Sequence, residues 1–555
     1  MVVPSGRPLA LAALSGVLLT VSFPLPHLST VAWIALVPLF AAVSHASLRG
    51  AFVLGWVTGL TFFAGALHWV TTVMVEYGHL PPWLSYLLLA LFAAYLALYV
   101  GLFGLGVRAL AARSTRLQLL AAPALWTTVE YARAHLLTGF PWASLGYSQA
   151  TTLPVIQIAD LGGVYAVSFV IVFVNAALAK ALDAFRPAGE MPIPLPVASF
   201  APMGGPNPFL RRAVLGPLAA VILVLNAVLI YGHWRLDGLQ HDPPGTEPLT
   251  VAVVQGNIDQ HRKWDPQFLR ETIARYQTLT RELAPGRPDL VVWPESAMPF
   301  WFEREAAERD DLLRFVREER LVLLFGSPAF DVERDRVARA YNSAYLVSAD
   351  GAVLGRYDKR HLVPFGEYVP LSSLLFFVDK LVEGIADFSP GTGPTVFPVG
   401  TARLGALICY EVIFPELTRR AVADGATVMA TITNDAWYGR SAAPYQHFDM
   451  VVFRAVENRI PFARAANTGV SGFIDAGGRV LSASDLFVPA ARAAALAPRT
   501  RTTFYTRYGD VFAWLCMGAT TALFAREIRR ARGGSDSTRR ATMPPHRLDR
   551  KETRP

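Results

Sequence analysis

Arg403-Leu404-Gly405-Ala406-Leu407-Ile408-Cys409-Tyr410-Glu411-Val412-Ile413-Phe414-Pro415 reads as a strand that runs into a thiol and then turns into a helix. Residues 403–408 form a short apolar run of strand length, and Pro415 suits the first turn of a helix, where no amide hydrogen is required. A corner of this kind lies at the C-terminal end of a strand, the edge where α/β folds gather their chemistry. The stretch therefore predicts that Cys409 is displayed there, with the backbone N–H groups just after it available to an oxyanion.

Outward from this corner the block alternates between strand and helix. Leu249–Gln255 reads as a strand, Pro266–Leu283 as a helix, Leu290–Trp293 as a strand, Asp310–Glu319 as a helix and Leu321–Phe325 as a strand. Ser343–Val347 and Val353–Arg356 flank an Asp350-Gly351 turn and predict a hairpin. Beyond the corner, Thr427–Thr433 leads into Asn434-Asp435, helix Phe448–Asn458 follows, and a last strand pair brackets Gly477-Gly478. Two further strand ends carry chemistry: Glu295 in Trp293-Pro294-Glu295-Ser296, and Lys359 in Tyr357-Asp358-Lys359-Arg360-His361. Singly, each is an unremarkable charged turn. Together a carboxylate, an amine and a thiol are what thiol acyl transfer needs: a base that takes the thiol proton and returns it to the leaving group, a cation for the oxyanion, and a nucleophile.

The surroundings of this block are unlike those of a soluble enzyme. Of 555 residues 53% are hydrophobic and only 17% charged, and the mean hydropathy is +0.34, so much of the chain is expected in lipid. Apolar runs long enough to cross a bilayer are read at residues 8–24, 29–46, 52–75, 83–107, 117–135, 162–180, 213–232 and 509–525, with Glu130 and Arg133 interrupting the end of the fifth. The first is read as a retained helix rather than a cleaved signal peptide. Expected domains are a seven-helix membrane domain over 1–234, an exported catalytic domain over 235–507, an eighth span over 508–526, and a basic, disordered cytoplasmic tail over 527–555. Arg7, Arg49, Arg108, Arg113, Arg116, Lys180, Arg186, Arg211 and Arg212 fall on alternate loops, and the tail opens with Arg526. The intervening loops lack Lys and Arg, so the catalytic block is expected outside the cytoplasm, on the periplasmic face of a bacterial inner membrane. The net charge of +8 then belongs to cytoplasmic loops and tail and calls for no nucleic acid. Of the two cysteines, Cys409 lies in the exported block and Cys516 inside the last span, so they are not expected to pair, and a lone exported thiol is a liability unless it works.

The motifs together are similar to those of a known family. Gly256-Asn257, Trp293-Pro294-Glu295, Lys359 to Glu367, Cys409-Tyr410-Glu411, Asn434-Asp435-Ala436-Trp437 and Asn467-Thr468-Gly469 resemble the nitrilase-type domain of the apolipoprotein N-acyltransferase family. Gly139-Phe140-Pro141-Trp142 with Leu145-Gly146-Tyr147-Ser148-Gln149 resembles that family's loop between spans, so the likeness covers nearly the whole chain, the tail excepted. It implies a multi-span α-helical membrane domain joined to an α/β nitrilase-like αββα sandwich. It also implies an enzyme, needing no cofactor or metal, that moves an acyl chain from a membrane phospholipid through a cysteine thioester to the N-terminal amine of a diacylglyceryl-modified apolipoprotein. Carried over, Cys409 is the nucleophile, Glu295 the general base and acid, and Lys359 the oxyanion cation. Glu367, Tyr410 and Glu411 are implied as essential site residues, and Trp264 of Lys263-Trp264-Asp265 matches a functional tryptophan of a mobile loop. A nearby carboxylate favours an ammonium, so Glu367 is a candidate to hold Lys359 charged and oriented, with Glu411 a second candidate for the same task. The expected protein is a monomer in the bilayer.

A site fed with lipid chains also needs apolar walls continuous with the membrane, and residues 368–388, with Leu374-Leu375-Phe376-Phe377, supply a candidate. The competing readings are a membrane-tethered amidase or nitrile hydrolase, which shares the three groups but needs no eight spans, and a transporter, which the few charges within the spans disfavour.

Overall fold

The computed structural model describes residues 6–110, 115–184, 208–241, 247–333, 336–369, 388–393 and 396–541. The apolar run Leu374 to Phe377 and the tail from 542 onward lie outside the described residues.

The block that follows residue 247 is two facing sheets. Strands β1 (Leu249–Gln255), β2 (Leu290–Val292), β3 (Leu323–Glu333), β4 (Arg336–Val347) and β5 (Val353–Asp358) build the first, and β6 (Val396–Val399), β7 (Ala402–Ile408), β8 (Val428–Thr433), β9 (Phe462–Ala466), β10 (Gly472–Ile474) and β11 (Val480–Ala483) build the second. Strand β12 (Ala490–Leu496) returns to the first sheet, so the orders are β12-β1-β2-β3-β4-β5 and β11-β10-β9-β8-β7-β6. In each sheet three central strands are parallel and the flanking ones antiparallel.

Period-two alternation sorts the side chains between layers. Val251, Val253, Leu290, Val292 and Leu324 point inward and meet Leu404, Ala406, Ile408, Val428, Ala430 and Ile432 of the other sheet. Ala252, Val254, Val291, Trp293 and Phe325 point outward, under the helices Leu269–Leu283 and Ala306–Glu319 that cross over between the parallel strands. The other sheet buries Leu407, Met429 and Phe462 beneath the helices Pro415–Ala423 and Ala443–Asn458. Both crossovers bring their strands out pointing the same way, so the C-terminal ends of β2, β7 and β8 collect at one edge.

Some expectations are corrected. The β3–β4 hairpin is longer than Leu321–Phe325 and Ser343–Val347 suggested, because Asp331, Arg339 and Arg336 extend the ladder without contributing apolar signal. Strands β6, β9 and β12 were not anticipated: β9 (Phe-Ala-Arg-Ala-Ala) and β12 (Ala-Ala-Arg-Ala-Ala-Ala-Leu) have weak strand propensity and exist because neighbouring ladders pair with them. The tail expected to be disordered from 527 continues the last helix, Val511–Ala541, through its first fifteen residues.

Helices occupy the apolar stretches of the remainder. Those at Leu48–Ala66, Pro82–Ala109, Ala159–Asp183, 213–239 and 511–529 are five that are long and apolar enough to cross a membrane, while Gly6–Val21 and Ser29–Val43 are shorter. Close packing relies on missing side chains: a Cβ on Gly55 would lie 2.3 Å from the Val100 carbonyl oxygen, and one on Gly104 2.5 Å from that of Ala51. Thr115–His135 continues through Glu130 and Arg133, both buried. They hold the following loop: Glu130 accepts the Leu145 N–H at 2.7 Å, and Arg133 donates to the carbonyls of Phe140 and Trp142 at 2.6 Å each. That loop abuts the catalytic block, where the Trp142 indole N–H donates to Gln446 Oε1 at 2.7 Å.

Candidate active site

The sandwich brings Glu295, Lys359 and Cys409 together from three strand ends, and all three are buried. Glu295 follows β2, at a turn held tightly against β3: a Cβ on Gly326 would stand 2.4 Å from Ser296 N and 2.7 Å from the Glu295 Cα. Its Oε1 accepts Asn342 Nδ2 at 2.7 Å and Lys359 Nζ at 3.4 Å, and its Oε2 accepts the Asn434 N–H at 2.9 Å. Lys359 lies 3.0 Å from Glu367 Oε1, and Asn342 Nδ2 reaches that same oxygen at 2.8 Å. The other Glu367 oxygen accepts the Val363 N–H at 2.8 Å. Asn342 and Lys359 thus tie the two carboxylates into one network.

This geometry sets the protonation states. Burial opposes charge on Glu295, but Lys359, the Asn342 hydrogen bond and Lys263 outweigh it and hold the carboxyl below its usual range. Burial likewise opposes charge on Lys359, and the carboxylates of Glu367 and Glu295 reverse the effect, keeping the ammonium charged far into alkali. Burial and the Glu295 charge push the Cys409 thiol up, Lys359 pulling the other way. The resting set is therefore a neutral thiol near an ionised carboxylate, beside a permanent cation. In such an arrangement a thiol would lose its proton only as it attacks, and Lys359 can serve an oxyanion but not act as the base.

Cys409 occupies the expected corner. Its φ is +53°, the left-handed region that a non-glycine residue rarely adopts and that clusters at functional sites. It starts a short 3₁₀ turn, Cys409–Ile413, ahead of the helix beginning at Pro415. The expectation of an exposed thiol is corrected: the residue is only 6% accessible, because it packs into the apolar layer where the two sheets face each other.

Glu411 is fully buried, and its hydrogen bonds go to groups other than Lys359, the partner that charge alone suggested for it. One oxygen accepts the Tyr357 hydroxyl (2.8 Å) and the N–H groups of Arg360 (2.7 Å) and His361 (3.2 Å); the other accepts the Ile408 N–H (2.7 Å). It clasps the loop that carries Lys359 to the strand that ends at Cys409. Tyr410 is buried edge-on against Phe414, centroids 5.2 Å apart, and Phe414 stacks on His361 at 3.6 Å. Trp264 lies away from the three groups, lining with Phe300, Trp301 and Glu305 a cavity of about 190 Å³. Its neighbour Lys263 is the unexpected member: buried, with Nζ donating to the Glu295 carbonyl at 2.9 Å, and lowered by burial to about 8 despite the pull of Glu295 and Cys409.

Other residues that the sequence did not single out are Asn342, mid-strand on β4, and His447, whose Nε2 lies 3.2 Å from the Cys409 carbonyl. The motif residues Asn434 and Asn467 act as braces: Asn467 Nδ2 donates to Asn434 Oδ1 at 3.1 Å, and Asn467 Oδ1 accepts the Ile258 N–H at 2.9 Å. Among the described residues no group of three or more His, Cys, Asp and Glu side chains is placed to hold a metal ion.

Two such sheets, layered with helices and joined to membrane-length helices, place the protein in the nitrilase-type class as a membrane-embedded branch. Residues 15–177 match the apolipoprotein N-acyltransferase N-terminal domain and residues 250–498 the carbon-nitrogen hydrolase domain. Over 525 residues, 94% of this chain and 96% of the relative, the sequence is 46% identical to the apolipoprotein N-acyltransferase of Geobacter metallireducens. The apolipoprotein N-acyltransferase of Methylococcus capsulatus is 35% identical over 95% of this chain and 97% of its own length. Among solved structures, an amidase from Nesterenkonia sp. is 23% identical over 46% of this chain and 92% of that one, with a TM-score of 0.35. The chain belongs to the apolipoprotein N-acyltransferase family; it is an acyltransferase and a membrane protein.

Proposed function

We propose that this enzyme carries a fatty acyl chain from a membrane phospholipid to the N-terminal amine of the S-diacylglyceryl-cysteine of apolipoproteins, through a thioester on Cys409. The observation that carries the reading is the single buried network in which Glu295, Lys359 and Glu367 surround the Cys409 corner. Glu295 takes the thiol proton as the sulfur attacks the ester carbonyl. Lys359 and the N–H that follows Cys409 stabilise the tetrahedral oxyanion. The acyl C–O bond breaks, Glu295 returns the proton to the departing glycerol oxygen, and lysophospholipid leaves. The acceptor amine then attacks the thioester, its proton passes by way of Glu295 to the sulfur, and the amide is released.

Glu367 and Asn342 are positioning residues that hold Lys359 and Glu295 apart at working distance. The catalytic block lies on the periplasmic side, a reading supported by Lys and Arg falling on alternate loops between spans. Mass spectrometry of the purified enzyme incubated with phospholipid alone tests the intermediate. Wild type gains one fatty acyl mass, removed by hydroxylamine, and Cys409→Ala gains none; an adduct on Cys516, or none at all, overturns the assignment.

A further inference from the structure

Behind the nucleophile lies a buried polar group that the mechanism above does not use. His447, Asp435 and Arg464 are each fully buried. Arg464 Nη2 is 2.8 Å from Asp435 Oδ2 and 2.9 Å from His447 Nδ1, while His447 Nδ1 is 3.0 Å from Asp435 Oδ1 and its Nε2 is 3.2 Å from the Cys409 carbonyl oxygen. Burial and the Arg464 charge lower the histidine, so the ring is neutral and has a single N–H. The contact with the Cys409 carbonyl oxygen requires the proton on Nε2, since an unprotonated nitrogen cannot bond a carbonyl. Nδ1 then accepts from Arg464, whose charge, shared with Asp435, offsets the approach of that nitrogen to Asp435 Oδ1. Asp435 keeps its other partners, Thr433 Oγ1 at 2.9 Å among them.

The carbonyl of Cys409 and the N–H of Tyr410 belong to one planar peptide group. Fixing the oxygen fixes the direction of that N–H. The residue before the peptide is strained, at φ +53°, so the turn needs an outside restraint to keep this orientation. Donation to a carbonyl also polarises the amide and strengthens its N–H as a donor. In a 3₁₀ turn opening at Cys409, the Tyr410 N–H has no partner within the turn and is free to serve the site.

We propose that His447 is the positioning residue of the oxyanion site: it holds the Cys409–Tyr410 peptide so that the Tyr410 N–H and Lys359 converge on the reacting oxygen. The inference rests on the proposed reading of Cys409 as nucleophile. Asp435 and Arg464 hold the ring, and the Trp142 indole, 5.5 Å from it between ring centroids, backs it from the membrane-domain side.

The test uses the full-length enzyme in detergent micelles with added phospholipid. Two rates are compared: thioester formation from phospholipid, whose transition state has an oxyanion, and alkylation of Cys409 by iodoacetamide, whose transition state has none. In His447→Leu the acylation rate falls by about tenfold to a hundredfold, a share of what losing one oxyanion donor costs, while alkylation stays within about threefold. In His447→Gln, whose Nε2 still reaches the carbonyl, acylation recovers most of that loss; in His447→Asn, too short to reach, it does not. Undiminished acylation in Leu and Asn, or equal loss of both rates in them, overturns the inference. If Leu fails to fold, the Gln and Asn pair decides by the same two rates. Absence of a thioester in wild type would sink the Cys409 reading itself, an outcome separate from any of these.

Discussion

Replacing Glu411 with Gln tests whether this carboxylate is the clasp between two parts of the site. Its two oxygens accept four hydrogen bonds, three of them from backbone N–H groups, in a fully buried position. Glutamine has one acceptor oxygen. Facing Tyr357, Arg360 and His361, it sets its NH₂ against the Ile408 N–H; reversed, it sets the NH₂ against the other three. In the better orientation two buried donors, the Ile408 N–H and the new amide, lack acceptors, at about 1–3 kcal/mol each. Relief comes only by moving the Ile408–Cys409 strand end or the Lys359 loop, so the cost appears partly as lost stability and partly as lost alignment. With a total of about 3 kcal/mol, the apparent melting temperature falls by roughly 6–12 °C. If half of it reaches the transition state, thioester formation slows about tenfold. Tyr357→Phe is the control, removing one of the four donors and leaving every N–H satisfied, and changes either quantity little. Thermal melting in detergent and intact-mass kinetics of acylation measure both. Glu411→Gln acylating within threefold of wild type at an unchanged melting temperature would refute the clasp.

Further outcomes follow from the same network. Lys359→Arg keeps the charge but replaces a point donor by a planar fork in a space already bounded by Glu295 and Glu367, so acylation falls about a hundredfold or more while the fold persists; near-normal acylation would mean that Lys359 is structural. Glu295→Gln removes the proton acceptor and abolishes acylation; because both its oxygens accept hydrogen bonds, it also lowers the melting temperature as Glu411→Gln does, yet loses far more acylation, measured by the same intact-mass assay beside thermal melting. Lys263 contributes a pH dependence: burial brings it to about 8 in the folded protein, below the ordinary 10.5 of the unfolded chain, so between these pH values the unfolded chain binds the extra proton and stability rises with pH. Lys263→Met removes that rise and relieves about 3 kcal/mol of buried charge at pH 7, less the lost bond to Glu295; melting both proteins from pH 7 to 10.5 checks it, and parallel curves contradict it. Arg459→Met takes one of two guanidinium partners from buried Asp160, leaving Arg235 and Tyr231, and shows as faster proteolysis between the membrane and catalytic parts; an unchanged proteolysis rate contradicts it.

That Glu295, Lys359 and Cys409 stand at strand ends was legible because each lies beside Pro, Gly or charge, a local signal that needs no knowledge of the fold. What surrounds them was not, because it depends on which strands lie side by side. Asn342 reads as one polar residue in a hairpin, and only the β3–β4–β5 ladder sets it between Glu295 and Glu367. Lys263 reads as a surface lysine of a charged turn, and burial follows from that turn folding under Glu295. Glu411 was assigned to Lys359 by proximity in kind; the 3₁₀ turn instead aims it back at Ile408. The thiol's burial was missed for the same reason, since the cover comes from a facing sheet whose strands lie far away in the sequence.

One helix joins these levels. Ala443–Asn458 packs on the second sheet beneath Cys409 and faces the membrane domain with its other residues. His447 meets the Cys409 carbonyl, Gln446 binds the Trp142 indole and the Ala66 carbonyl, Arg454 reaches the Tyr147 hydroxyl, and Glu457 accepts the Val164 N–H. Arg459, just past its end, meets Asp160. Apolar contact alone would hold two such bodies together in many nearly equal ways. Buried ion pairs and directional hydrogen bonds add little net stability, but each is satisfied in only one docking, and a slipped one leaves a charge unpaired. For an enzyme whose donor arrives in the plane of a membrane, that fixes the height and tilt of the thiol relative to the helices. The same contacts make the helix rigid at His447, where displacement would be felt at the reacting carbon.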